Sequence, residues 1–201
     1  MSTDSIDISA TDWRHELPVL AARGLTLREP VAEDLAALVD VLCAFDASRF
    51  GIDGDVDDTA VKLLIEHSAR DRAAGIGFSY VIVALSGIVG LIQVRQLSPG
   101  FETAEWEMTL TPAGRDTGVF LETARLVGSF VFDSLNTNRL EARILPHNGR
   151  AMGALRKLGA VQEGILRRSI RHGDAYLDQV LWSILKEDWS DERTSIAPRV
   201  H

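Results

Sequence analysis

From Thr103 to Leu145 the chain reads as a strand, a glycine-bearing turn, a long helix and a second strand, and this unit restricts the fold more than any other stretch. The first strand is TAEWEMTL, ending at Leu110. The turn carries Gly114, Arg115, Asp116, Thr117 and Gly118. The helix starts near Val119, with apolar residues at Phe120, Leu121, Ala124, Val127, Val131 and Phe132, the spacing of a helix buried on more than one side. The second strand is RLEARIL, Arg139–Leu145, which alternates strictly. Two strands joined through a helix are expected to lie parallel, with a right-handed crossover. A glycine-bearing turn that opens a helix leaves backbone N–H groups without partners at the positive end of the helix. This is a ready site for an anion, most often phosphate. Many loops carry two glycines, so the turn alone does not name a ligand.

The flanking segments extend this unit into a mixed sheet. Leu25–Arg28 alternates and stops at Pro30, a short strand. Helices are expected over Val31–Phe45 and from about Asp57 to Ala73, separated by a loop rich in Asp and Gly. Phe78–Leu85, Ile88–Leu97 and Thr103–Leu110 are consecutive strands joined by short turns, which predicts antiparallel pairing. After Arg139–Leu145, Asn148 is a good N-cap for a helix over Gly149–Leu158. Val161–Arg171 and Ala175–Leu185 form a closing hairpin. The order β-α-α-β-β-β-α-β-α-β-β gives an α/β (α+β) fold: a mixed, mostly antiparallel sheet of about seven strands with helices on both faces. Residues 1–23 read as an irregular lead-in, in which Pro18 opposes a helix and Trp13, Leu17 and Leu20 tack the segment onto the domain. Residues 24–189 form a single domain, and 190–201 a polar tail.

Composition narrows the function classes. A net charge of -8 disfavours non-specific nucleic-acid binding and suits a cationic or amine partner. The single cysteine, Cys43, excludes an intrachain disulfide and fits a reducing cytoplasm; in the apolar run Leu38–Phe45 it reads as a small buried hydrophobe. No apolar run approaches the ~20 residues of a membrane span, and the polar, acidic N-terminus shows no secretory signal. The histidines form no metal-like spacing with acids or cysteine, so no metal site is expected.

Four motifs, in order, resemble the GNAT acyltransferases, and in particular their RimJ/RimL-like branch. Arg115-Asp116-Thr117-Gly118 is similar to the opening of the family's coenzyme-A loop, and Thr117-Gly118-Val119 with Glu122 to the branch's T-G-x-x-x-E. Asn148-Gly149-Arg150 followed by Leu155–Ala160 resembles N-x-R-S…L-x-K-L-G-F/A. Glu163–Arg167 resembles E-G-x-L-R, and Asp178–Trp189 the closing D-x-x-x-x-S-I-L-x-x-x-W. The similarity covers about residues 24–189. The chain departs from it at Asp116, usually Gly in the branch, and at Phe120, usually Gly or Ala. Ala151 stands for a serine, and Leu155 where other GNAT enzymes carry a tyrosine general acid.

The resemblance implies acetyl-CoA as co-substrate and a splay between the fourth and fifth of the seven expected strands. The pantetheine arm would lie there along the backbone of Met108, Thr109 and Leu110. The pyrophosphate would be held by Arg115, Asp116, Thr117, Gly118, Val119 and Phe120, through backbone N–H groups with the Asp116 carboxylate turned away. Asn148 reads equally as a contact to pantetheine and as a plain N-cap. Glu105 and Glu107 flank Trp106 and project from one strand face, so either is a candidate proton acceptor, with Glu105 slightly preferred. A solvent-facing edge is the competing reading for both. Tyr176 and His147 are weaker candidates, and Arg167, Arg168 and Arg171 form a local basic patch. The expected activity is transfer of an acetyl group to a primary amine, on a protein or peptide N-terminus or a small molecule, in a cytoplasmic enzyme for which a homodimer is compatible. The alternative is an acetyl-CoA-binding sensor or partner-binding module without turnover.

Overall fold

The computed structural model describes residues 12–22, 24–43, 56–115, 117–172 and 174–189. Expectations placed on residues 1–11, 44–55 and 190–201 and on Asp116 lie outside the described residues. Among the described residues eight strands form one sheet: β1 (Leu20–Ala22), β2 (Leu25–Arg28), β3 (Gly77–Ala84), β4 (Gly87–Gln96), β5 (Thr103–Leu110), β6 (Arg139–Ile144), β7 (Val161–His172) and β8 (Ala175–Leu185). Their spatial order is β1-β2-β3-β4-β5-β6-β8-β7. Every pair is antiparallel except β5–β6, the parallel pair expected from the crossover.

The helices are α1 (Leu35–Cys43), α2 (Asp58–Ala74), α3 (Val119–Ser129) and α4 (Gly149–Lys157). α2 is capped by the Asp57 side chain, which accepts from the Ala60 N–H at 2.7 Å, and ends at Gly75 with φ 70°. α3 passes into a π-helical turn, Phe130–Ser134. On one face of the sheet α3 and α4 bury Ala124, Val127 and Leu155 against Tyr80, Ile82, Ile92 and Trp106. On the other, α1 and α2 bury Leu38, Val41, Leu42, Val61 and Leu64 against Val81 and Leu91. With both faces covered, β3 is buried at every residue from Gly77 to Ile82 rather than at alternate ones.

Two expectations change. Leu20–Ala22 is an eighth, edge strand paired with β2, not irregular chain; a run of three residues carries no period by which to read it. Cys43 is exposed, not buried. The buried stripe of α1 is Leu38, Val41 and Leu42, and the next residue is turned about 100° away from it.

Candidate functional site

β5 and β6 form a fork. They share only three rungs, Thr103↔Arg139, Ala104↔Leu140 and Glu105↔Glu141. Beyond Glu105, β5 stays paired with β4 as far as Leu110, while β6 continues to Ile144 in pairing with β8. Trp106–Leu110 therefore has no strand partner on its β6 side among the described residues. Met108 and Leu110 pack toward the α3 face, and Thr109 is buried on the other.

The upper end of β5 leads directly into the turn ahead of α3. The Thr111 N–H and hydroxyl both donate to the Val89 carbonyl, at 2.9 and 3.2 Å, anchoring the turn to β4. Pro112–Gly114 makes a 3-10 turn, and Gly114 sits so close to β4 that a Cβ there would lie 3.0 Å from the Val89 oxygen. The Arg115 N–H is already given to the Pro112 carbonyl, at 3.2 Å, and the Arg115 Nε to the Leu110 carbonyl, also at 3.2 Å. The free donors of the cradle therefore begin after Arg115. The Thr117 hydroxyl donates to the Gly114 carbonyl at 2.8 Å. Gly118 is the N-cap of α3, with φ 83°, and offers no side chain to the first-turn N–H groups. A Cβ built on it would meet nothing within 4 Å, so the helix N-terminus opens outward. Phe120 starts the buried face of α3, its ring 6.2 Å from that of Trp106. A groove of about 540 Å³, lined in part by Leu25, Leu85, Val89, Gly118 and Val119, flanks this loop on the β2 side and not in the fork.

Glu105 and Glu107 do share a face of β5, the one toward α1 and α2, because they pair with Arg95 and Gln93 on the same side of β4 as Leu91. Their surroundings differ. Glu105 is 1% exposed and both its oxygens are engaged. Oε2 accepts from Arg95 at 3.2 and 3.0 Å, and Oε1 from Arg143 at 2.8 Å. Glu107 is half-buried and stands one step further along, on the part of β5 that β6 has left. A ladder of charges continues from Glu105 across the sheet. Arg143 also donates to Glu141 at 3.3 Å, and Arg139 to Glu141 at 3.0 Å. Arg139 then makes a two-pronged bond to Glu163, at 2.6 and 2.5 Å, and Glu163 accepts from the Ser183 hydroxyl at 2.7 Å. The Arg139 guanidinium, helped by Ser183 and against a small desolvation effect, holds the Glu163 carboxyl at about 2.

The remaining candidates are spread around the fork. Asn148 is the N-cap of α4, its side chain accepting from the Ala151 N–H at 3.1 Å. Leu155 is buried in the core, so its position offers no group to the fork. Tyr176 is exposed and lies beneath the Arg168 guanidinium, 5.3 Å from the ring centroid. Asp178 accepts from the Arg168 N–H at 2.7 Å, and His147 is exposed. Among the described residues no cluster of three or more His, Cys, Asp or Glu side chains is placed to hold a metal, and no helix is long and apolar enough to cross a membrane. The sequence reading missed Arg95, Arg143 and Glu141. For two of them the signal was the alternation in RLEAR, since period two puts Arg139, Glu141 and Arg143 on one face; Arg95 lies on β4, where no such pattern marks it.

The profile of the acetyltransferase (GNAT) domain family matches residues 24–161. The chain is 32% identical over 104 residues to the probable N-acetyltransferase YjcK of Bacillus subtilis, a match that covers 52% of this chain and 56% of that protein. It thus spans about half the length of this relative. Among solved structures, the ribosomal-protein-S5-alanine acetyltransferase from Vibrio fischeri superposes with TM-score 0.74 at 16% identity, covering 86% of this chain and 98% of that one. Mycobacterium smegmatis RimJ, in complex with CoA-disulfide, superposes with TM-score 0.73 at 18% identity, covering 85% and 87%. At such identities the structural likeness speaks for the fold, and the family match for descent. A forked parallel pair opening beside an uncapped helix N-terminus, in a chain whose sequence matches that domain over most of its length, makes this protein an acyltransferase of the GNAT family with RimJ/RimL-like structural neighbours.

Proposed function

We propose that residues 24–189 form one catalytic domain that transfers the acetyl group of acetyl-CoA to a primary amine, in the cytoplasm and by direct attack within a ternary complex. The observation that carries this reading is the β5–β6 fork ending at the open N-terminus of α3. The fit is physical on both sides. The unpaired flank of β5 at Met108, Thr109 and Leu110 can take an extended amide-bearing arm as an added strand. The outward N–H groups from Thr117 to Phe120, with the positive helix end, suit a pyrophosphate, and Gly118 leaves them uncovered. The co-substrate supplies an activated acyl thioester. The chain's part is to orient it, exclude water and move protons.

Glu107 is the group we assign to accept the amine proton, through a bridging water. It shares the face of Glu105 but sits beyond the last rung of the fork. Glu105 is less suited, because at 1% exposure it is closed to the water and the amine that Glu107, half-buried, can meet. As the amine lone pair forms the new C–N bond, the C–S bond breaks and the departing sulfur takes up a proton. Backbone N–H groups at the open end of β5 can stabilise the developing oxyanion. The structural neighbours include both a ribosomal-protein-S5-alanine acetyltransferase and a spermidine N-acetyltransferase, so the acceptors to try are protein N-termini and small amines alike. The second reading, a binding module without turnover, draws on buried Leu155, which brings no hydroxyl to the fork.

Calorimetric titration with acetyl-CoA, followed by a thiol-release assay over peptide N-termini and small amines, tests both. Binding with release on one amine class supports the transferase. Binding without release on any amine favours the module, and no binding removes both.

A further inference from the structure

Glu105 and Glu141 are paired directly across the last rung that β5 and β6 share, on the same face of the sheet. Two carboxylates so placed repel one another, the more strongly because Glu105 is buried. One side chain lies between them. Arg143 is two residues beyond Glu141 on β6, past the end of the pairing, and its guanidinium turns back to the rung. Nη1 meets the Glu105 Oε1 at 2.8 Å and Nη2 the Glu141 Oε2 at 3.3 Å. Its Nε is buried with no acceptor among the described residues, a cost tolerated so that the two Nη ends reach both strands.

We propose that Arg143 is a positioning residue: its guanidinium closes the fork at the Glu105–Glu141 rung and so sets the gap into which the pantetheine arm fits. This rests on the acetyl-CoA reading above. Without Arg143 the opposed carboxylates push the last rung apart and the fork runs down toward Thr103. The β5 flank then no longer faces β6 at a fixed distance, and an arm bound as an added strand loses its preorganised slot. Arg95 reaches Glu105 from the β4 side and Arg139 reaches Glu141 from along β6, so each neutralises one carboxylate of the rung, whereas Arg143 ties the two strands together through both.

The test is the affinity for acetyl-CoA, measured by calorimetry, in Arg143→Ala, Arg143→Lys, the double variant Arg143→Ala with Glu141→Gln, and Glu163→Gln, each with its thermal melt. Arg143→Ala is expected to weaken binding about tenfold, the size of one lost preorganising contact. Arg143→Lys keeps the charge but cannot bridge two carboxylates, and recovers part of the loss. Removing the opposing charge with Glu141→Gln recovers affinity in the Arg143→Ala background, which a simple packing defect would not do. Glu163→Gln breaks the ladder away from the fork and leaves the affinity unchanged. A folded Arg143→Ala protein with wild-type affinity overturns the proposal. If Arg143→Ala does not fold, the double variant decides: folded, it is expected to bind more tightly than Arg143→Lys, and weaker or absent binding overturns the proposal. A wild-type protein that does not bind acetyl-CoA would overturn the functional reading and this inference with it. A wild-type protein that binds, beside variants that bind equally, overturns this inference alone.

Discussion

Glu105 and Glu141 oppose one another across the final rung of β5 and β6, and both are held by the single guanidinium of Arg143. The vertex of the fork is therefore also the place where the sheet must neutralise like charges. Of the two carboxylates of TAEWEMTL, Glu105 lies on that last rung and Glu107 one step beyond it.

Glu107→Gln is expected to lower kcat about 10²- to 10⁴-fold on whichever amine supports thiol release, the usual contribution of a general base. Acetyl-CoA affinity should stay at the wild-type value, because the amide preserves the side chain's size. Steady-state kinetics beside calorimetry checks this. An unchanged kcat would move the proton acceptor elsewhere.

Gly118→Val places a β-branched residue at φ 83°. Holding it there costs about 1–3 kcal/mol, so either the melting temperature falls or the cap rearranges. In both cases the first-turn N–H groups lose their aim, and acetyl-CoA binding weakens about tenfold or more. The paired readouts are the thermal melt and the calorimetric Kd.

Gly90→Ala tests the upper end of β5 from behind. A Cβ at Gly90 would lie 2.5 Å from the Thr109 oxygen and 2.6 Å from the Leu110 side chain. The backbone has to give way, at a cost of about 1–3 kcal/mol, and it gives way in the segment assigned to pantetheine. Chemical denaturation should show the stability loss, and titration a weaker affinity for acetyl-CoA.

The acid limb of stability should carry a contribution from Glu163. Its folded-state value near 2 lies below the ordinary 4.5, so the unfolded chain binds the proton more readily. The Arg139 pair is fully stabilising above about pH 4.5, and its contribution fades as the pH falls toward 2. Because the Glu163 side chain is 37% exposed, solvent screening holds that contribution to about 1 kcal/mol or less. Thermal melts of wild type and Glu163→Gln should therefore differ at pH 6 and converge toward about pH 2.

The sequence by itself determined the order of elements from β2 onward, the parallel β5–β6 unit, the glycine turn that opens α3, and the shared face of Glu105 and Glu107. Each follows from a local rule: a period of two or of 3.6, a turn residue, a cap. Asn148 as the N-cap of α4 and Phe120 as the start of a buried helix face were legible for the same reason. Only the tertiary structure decided which of the two glutamates is sealed in, because that depends on Arg95 from β4 and Arg143 from β6. The latter lies 38 residues from Glu105 in the chain. It also decided where the fork opens. The register between two strands joined by a long crossover is set by packing on both faces and by which charges meet on the last rung, and no local pattern encodes it.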